Sequence, residues 1–332
     1  MKILNYLHFV IVIGLVLLGC AKKMLPPSPD RFPPQLLEID PKTSTRLDLI
    51  FNEDIVPVID SAHRLYITNN IDTLQIIAII TKGSRVSLYT RPLMTNTRYQ
   101  IRGSFMDQAG NAAVIKKTFR SALQPDTVDP RVTSTYPKPG SVLKVFRGIY
   151  IDFTFSEPVD SQSDIHFTVS PLAKNKIKYE FSNDRHTLTF LYPDTLTYRG
   201  LIYFLLLPSI TDLANNRLKN FGYTYFTTDS TLTIKTVRGK LLSQNIPVSN
   251  GIVIFERDNL KAFTITEKDG TFSCQLELGT YSVSAIADTN WDFYVDLISA
   301  KSEIAVDTTQ IEVPTINLFP AATKIYLNEY LN

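Results

Sequence analysis

Beyond its first twenty residues this chain carries no long window of apolar residues at helical spacing, and its apolar residues alternate with polar ones in short runs. Examples are Leu47-Asp48-Leu49-Ile50-Phe51, Ile149-Tyr150-Ile151-Asp152-Phe153-Thr154-Phe155, Thr187-Leu188-Thr189-Phe190-Leu191 and Gly279-Thr280-Tyr281-Ser282-Val283-Ser284-Ala285. Period-two alternation in β-branched and aromatic residues, punctuated by Gly, Pro, Asn and Asp, describes half-buried antiparallel strands. The pattern predicts an all-β protein. At 332 residues the chain is too long for one sandwich core, and two or three modules are expected.

An internal repeat sets the module count. Pro41-Lys42 leads to Phe51-Asn52-Glu53-Asp54-Ile55, and a later Pro137-Lys138 leads to Phe155-Ser156-Glu157-Pro158-Val159. Asp107-Gln108-Ala109-Gly110-Asn111 precedes Phe119-Arg120-Ser121, and Asp212-Leu213-Ala214-Asn215-Asn216 precedes Phe226-Thr227-Thr228. Each copy has the length of one immunoglobulin-like (Ig-like) sandwich of roughly 100 residues. The polar, Pro-containing stretch from Gln124 to Pro130 separates them. A strand ending in Phe-Ser-Glu-Pro-Val, an Asp-x-Ala-Gly-Asn turn and a closing aromatic strand together resemble the bacterial Ig-like domain of S-layer proteins (SbsA type) and envelope lipoproteins. That resemblance implies Ig-like domains over residues 34–124 and 130–229.

After Thr233 the pattern changes. Val237-Arg238-Gly239-Lys240-Leu241, Ile246-Pro247-Val248, Thr266-Glu267-Lys268-Asp269-Gly270-Thr271-Phe272 and Leu278-Gly279-Thr280-Tyr281 follow in order. These resemble the carboxypeptidase-regulatory-like, transthyretin-like β-sandwich, which the resemblance places at residues 233–320, with a C-terminal tail at 321–332. Asp269-Gly270 reads as a two-residue hairpin turn, and Gly279 as the φ freedom needed at a tight corner. The last strands are expected at Ser302 to Val306 and Gln310 to Leu318.

The N-terminus combines Lys2, the apolar run Phe9 to Leu18, and Leu17-Leu18-Gly19-Cys20 with polar chain after it. The run is short for a bilayer span, which needs about 20 apolar residues, but suits a signal h-region. It resembles a bacterial lipoprotein signal peptide ending in a lipobox. The resemblance implies a signal peptide at residues 1–19, cleavage between Gly19 and Cys20, and diacylation of Cys20, with palmitate-type chains as the covalent lipid. Residues 20–33 hold the lipidated Cys and a stalk rich in Pro (Pro26, Pro27, Pro29, Pro33) that favours extended geometry. The predicted architecture is three tandem β-sandwiches, two Ig-like and one transthyretin-like, after a cleaved signal peptide.

Charge excludes some partners. Lys and Arg total 34 against 32 Asp and Glu, a net charge of +2, so no bulk electrostatic footprint for nucleic acid exists. Of the two Cys, Cys20 is assigned to lipid, so Cys274 has no disulfide partner and reads as a small buried hydrophobe. His63, His166 and His186 sit in no metal-spacing or nucleophile-elbow context, and neither Gly-x-Ser-x-Gly nor His-Glu-x-x-His occurs. An enzyme is not expected. Glu53 and Glu157 recur at one repeat position and read as solvated or capping residues, as Asp107 and Asp212 read as turn residues.

The sharpest cluster is Asp288-Thr289-Asn290-Trp291-Asp292-Phe293-Tyr294-Val295-Asp296. Oxygen ligands at Asp288, Asn290, Asp292 and Asp296 have the spacing of a weak calcium loop, but Phe293 replaces the turn Gly and Ser299 the bidentate Glu. Asx turns are the favoured reading, with no metal and no cofactor other than the lipid. Trp291, Phe293 and Tyr294 make the loop the expected contact surface if exposed. The functional expectation is a non-catalytic, membrane-anchored extracytoplasmic lipoprotein of the cell envelope, structural or binding in an adhesion or assembly role. The alternative is an accessory or scaffold subunit of an envelope enzyme or export machine. The expected partners are the membrane, through the lipid anchor, and an envelope protein or glycan. Ala21 in place of an Asp after the lipid Cys favours the outer membrane if the host is diderm.

Overall fold

The computed structural model describes residues 30–56, 65–69, 71–144, 148–171, 177–192, 200–258, 260–307 and 311–331. Lys2, Leu17, Leu18, Gly19, Cys20, the stalk up to Pro29, and His63 lie outside the described residues. The regular structure of the described residues is almost entirely strand.

In the first repeat, β1 (Leu36–Pro41), β2 (Arg46–Phe51), β6 (Arg85–Thr90) and β5 (Ile76–Lys82) form one sheet in the order β1-β2-β6-β5. It faces β4 (Thr73–Leu74), β3 (Tyr66–Thr68), β7 (Arg98–Met106) and β8 (Ala112–Arg120), in the order β4-β3-β7-β8. The alternation does what it predicted. Along β7, Tyr99, Ile101 and Phe105 point into the sandwich against Leu47, Leu49 and Leu88, while Arg98 and Arg102 point out.

The second repeat reproduces this order. β9 (Val132–Tyr136), β11 (Ile149–Phe155), β14 (Thr187–Tyr192) and β13 (Lys178–Phe181) form the sheet β13-β14-β11-β9. Opposite lie β10 (Ser141–Val142), β16 (Gly222–Thr227), β15 (Ile202–Leu206) and β12 (Phe167–Ser170), with β10 added in parallel at the β16 edge. Both repeats thus share the two-sheet strand order of an Ig sandwich. Ile151, Phe153, Phe190, Phe204 and Phe226 fill the second core.

The last third is one curled sheet in the order β18-β17-β26-β23-β22-β19-β20, with β21, β24 and β25 attached. Its strands are β17 (Ile234–Ser243), β18 (Ile246–Pro247), β19 (Ile252–Arg257), β20 (Leu260–Ile265), β21 (Thr271–Glu277), β22 (Gly279–Ala287), β23 (Leu297–Ile298), β24 (Ser302–Val306), β25 (Ile311–Glu312) and β26 (Ile316–Pro320). Cys274 is buried, as its alternation with Phe272 and Leu276 predicted.

Three local expectations are corrected here. Asp269-Gly270 does not close a hairpin of paired strands, because β20 pairs β19 while β21 pairs β17. It carries the chain between the two regions through a turn in which the Gly270 amide donates to the Glu267 carbonyl. The strand expected from Gln310 to Leu318 is broken: Pro314 supplies no N–H, and a residue is inserted before β26 resumes parallel pairing with β17. Residues 321–332, read as a tail, include a short helix α1 (Leu327–Leu331) whose Leu327 and Leu331 are buried in the third core.

Gly270 is the residue this arrangement tolerates changing least. Its φ is +76°, and a Cβ would lie 2.5 Å from the Leu241 carbonyl oxygen. Gly270→Ala therefore combines left-handed strain with a backbone clash and should lower unfolding free energy by about 2 kcal/mol or more, read by chemical denaturation.

The second and third modules are not separate bodies. Ile202, Phe204 and Leu206 of β15 enter the second core, whereas Leu201, Tyr203, Leu205 and Leu207 belong to the third module's apolar cluster. β15 is buried along its whole length. Polar ties seal the contact: the Tyr203 hydroxyl donates to the Gln275 carbonyl at 2.6 Å, the Lys261 amide to Ser170 Oγ at 2.7 Å, and the Leu201 amide to Glu277 Oε1 at 2.9 Å.

Candidate functional site

Two equivalent clusters of three carboxylates, one per repeat, lie among the described residues. They comprise Asp30, Glu53 and Asp107 in the first repeat and Asp126, Glu157 and Asp212 in the second, with carboxylate oxygens within 4.8 Å of one another. The Asp-x-Ala-x-Asn turns build both. The Asp107 carboxylate accepts from the Asn111 amide at 2.9 Å and from Asn111 Nδ2 at 2.8 Å; Asp212 accepts from the Asn216 amide and Nδ2, each at 2.8 Å. The same Asn then reaches the segment leading into its module. Asn111 Nδ2 donates to the Asp30 carbonyl at 3.1 Å, and Asn216 Nδ2 to the Asp126 carbonyl at 3.2 Å. Each Asn is thus a clasp between its turn and the chain entering the sandwich.

Sequence reasoning singled out Glu53, Glu157, Asp107 and Asp212 but missed Asp30 and Asp126. The signal existed: Asp30 stands four residues before Pro34, as Asp126 stands four before Pro130.

The two clusters differ because only the second is roofed by a preceding module. Asp126 is held from the first module by Thr43 Oγ1 at 3.0 Å and Thr45 Oγ1 at 2.6 Å, and its amide donates to Ser44 Oγ. Arg91 pairs with Asp160 at 2.6 Å, and Tyr89 and Ala78 pack with Leu213 across the same junction. Burial, then the charges of Asp126 and Asp212, push the Glu157 carboxyl up to about 7, against a partial opposing effect of Arg46. Burial also raises Asp212. At Asp107 burial acts upward too, but the hydrogen bonds from Asn111 and the turn amides outweigh it and hold the carboxyl below its ordinary value.

Glu157 gives a signed pH dependence. Its folded value of about 7 exceeds the ordinary 4.5, so between these the folded state binds the proton more tightly. Its contribution is complete below about pH 4.5 and is lost as pH rises through 7. Discounted for solvent screening, the loss is about 1–2 kcal/mol. Thermal melts at pH 5 and pH 8 should show it, and Glu157→Gln should remove most of the difference.

Each cluster offers three side-chain carboxylates close enough to share a metal ion, with calcium requiring six to eight oxygens from side chains, carbonyls and water together. In the 288–296 loop the carboxylates are occupied by the backbone. Asp288 accepts from the Asp292 amide at 3.2 Å and the Phe293 amide at 2.8 Å, Asn290 Oδ1 from the Asp292 amide at 2.9 Å, Asp292 from the Tyr294 amide at 3.0 Å, and Asp296 from the Thr289 amide at 2.8 Å. These nested Asx turns place Trp291 and Phe293 at φ of 62° and 69°.

The three aromatics of this loop face their own chain. Phe293 is 8% exposed, under the Arg217 guanidinium at 4.9 Å. Trp291 is half-buried beside Phe221 of the second module, ring centroids 5.9 Å apart, with Lys219 over its face and its carbonyl accepting from Arg217. Tyr294, also half-buried, has Lys324 over its ring at 3.8 Å. The loop clamps the third module to the second. His166 packs at the same seam, tilted against Phe293 and edge-on to Tyr326, and His186 lies at the first junction beside Tyr89.

Residues 126–228 match the family model described as the bacterial Ig-like domain. The second repeat is the part of the chain that carries this likeness. Among solved structures, the N-terminal part of the bacterial S-layer protein SbsC is 13% identical over 59% of this chain and 44% of that one, with a TM-score of 0.26. The chain thus spans less than half of that S-layer fragment. Native alpha-2-macroglobulin from Escherichia coli is 12% identical, covering 82% of this chain and 97% of that one at a TM-score of 0.28. A run of titin domains is 10% identical, covering 82% and 98% at a TM-score of 0.25. No curated protein sequence matches the chain.

Proposed function

We propose that this chain is a non-catalytic lipoprotein of the cell envelope, held on the outside of a membrane by acyl chains on Cys20 after cleavage at Gly19-Cys20, and acting as a structural or binding module. The observation that carries the reading is the N-terminal order: Lys2, an apolar run, Leu17-Leu18-Gly19-Cys20, a Pro-rich polar stretch, then sandwiches. The folded part supports a mechanical role. Both carboxylate clusters are engaged in clasping the segments that enter their modules, and the aromatic loop is engaged in joining modules. The third module is read as the carboxypeptidase-regulatory-like sandwich, and the covalent lipid as the only non-protein group.

An envelope protein or glycan is the assigned partner besides the membrane, and one touching the 288–296 loop would meet the open edges of Trp291 and Tyr294. In a diderm host the outer membrane is favoured, since Ala21 stands where an Asp would signal inner-membrane retention. Metabolic labelling with a palmitate analogue tests the anchor. Wild-type protein is expected to take up label and Cys20→Ala to take up none; mature wild-type protein retaining unmodified residues 1–20 would refute the reading.

A further inference from the structure

The outer face of the β3-β7-β8 sheet differs between the two repeats. In the second repeat the matching strands, β12, β15 and β16, contain no charged residue, and their outward Tyr203, Leu205, Tyr223 and Tyr225 are covered by the third module. In the first repeat the equivalent strands carry five cations and no carboxylate. Four of the cations, Arg98, Arg102, Lys116 and Arg120, project from the exposed face.

Register makes the arrangement costly. Arg98 stands directly opposite Arg120, and Arg102 directly opposite Lys116. Directly opposed residues on one face have Cβ atoms about 5 Å apart, where like charges destabilise the pair. Among the described residues none of these four forms a salt bridge, and Arg120 donates only to the Asn96 carbonyl and side-chain oxygen. Val114, 73% exposed, lies on the same face, and a depression lined by Leu37, Glu38, Thr118 and Arg120 lies at its β1–β8 edge.

We infer that this face docks on an anionic lipid bilayer, its four cations set against headgroup phosphates. The inference rests on the anchored reading for the identity of the surface. Charge complementarity excludes a second copy of the face, which would oppose cations to cations, and favours a surface that presents many anionic groups side by side. The chain enters at the end of this very sheet, where Asn111, one residue before β8, holds the Asp30 carbonyl. Ten residues separate Cys20 from Asp30, a span of at most about 36 Å. Arg120 lies only about 27 Å along β8 from Ala112, so the tether lets the face lie against the membrane that anchors it.

The test uses the unacylated mature chain, residues 21–332, with vesicles of phosphatidylcholine alone or mixed with phosphatidylglycerol. Co-sedimentation is expected with the anionic vesicles only, falling steeply as salt rises. At about fivefold per surface cation, the variant with Arg98→Gln, Arg102→Gln, Lys116→Gln and Arg120→Gln should lose affinity about six-hundredfold. The pair Arg102→Gln with Lys116→Gln should lose an intermediate amount, and the exposed pair Lys240→Gln with Lys268→Gln none. Because the opposed cations repel, the fourfold variant should melt no lower than wild type, which keeps misfolding from imitating the result.

Equal binding to neutral vesicles, no binding, unchanged binding in the fourfold variant, or capture by a soluble anionic glycan in place of vesicles would each overturn the inference. Acyl labelling reports separately on the anchor. Label without vesicle binding removes this face alone, and vesicle binding without label removes the anchor alone.

Discussion

Leu205→Asp is expected to unfold the second and third modules together, leaving the first folded. Leu205 is fully buried, and its side chain belongs to the third module's cluster although its backbone is the central strand of the second sandwich. A carboxylate there has no cation beside it and must ionise in an apolar seam or remain protonated, a cost of several kcal/mol either way. Leu205→Ala is the milder form, at about 2–5 kcal/mol. Chemical denaturation with the Trp291 signal, which reports on the seam, should show a single transition for residues 130–331 in the wild type. Limited proteolysis should leave that stretch whole. The sequence alone suggests cleavage at Thr228 to Thr233, since a polar segment there reads as a linker. The structure reverses that expectation, because β15 and the 288–296 loop hold the two modules together and Leu232 of the connecting residues packs on the shared cluster. Separate unfolding of the two modules, or a dominant cut at residues 228–233, would contradict it.

Asn216→Ala is expected to lower unfolding free energy by about 2–4 kcal/mol, measured by denaturant titration. It removes the Nδ2 bonds to Asp212 and to the Asp126 carbonyl, leaving a buried carboxylate short of a donor and freeing the segment that joins the first module to the second. Asn111→Ala makes the parallel change in the first repeat, where Asp30 is exposed and no preceding module roofs the cluster. Its effect should be smaller. Equal effects would mean that the junction adds nothing to the clasp.

The paired turns were legible because a short Asp-x-Ala-x-Asn segment closes on itself, so its chemistry is written within five residues. Asp30 and Asp126 were harder to see. Their role depends on a carbonyl oxygen that Asn111 and Asn216 reach from 81 and 90 residues away. The Asx-turn reading of residues 288–296 follows from local spacing and agrees with the bonds observed. What covers Trp291 and Phe293 does not, since Phe221, Arg217 and Lys219 come from another module.

Alternation determined by itself that this chain is all-β, and the spaced Phe-x-Glu and Asp-x-Ala-x-Asn signals determined that one sandwich occurs twice, because period and turn chemistry are properties of neighbouring residues. Only the tertiary structure decided which sheet faces meet. Ile202-Tyr203-Phe204-Leu205-Leu206 is apolar on both faces, which marks a doubly buried strand without saying what lies on either side. Arg98 and Arg102 set the opposite puzzle, because their cross-strand partners Arg120 and Lys116 are fixed by register. Local preference is encoded residue by residue, whereas partnership between distant surfaces is settled only when the chain closes on itself and charge, shape and buried area are compared at once.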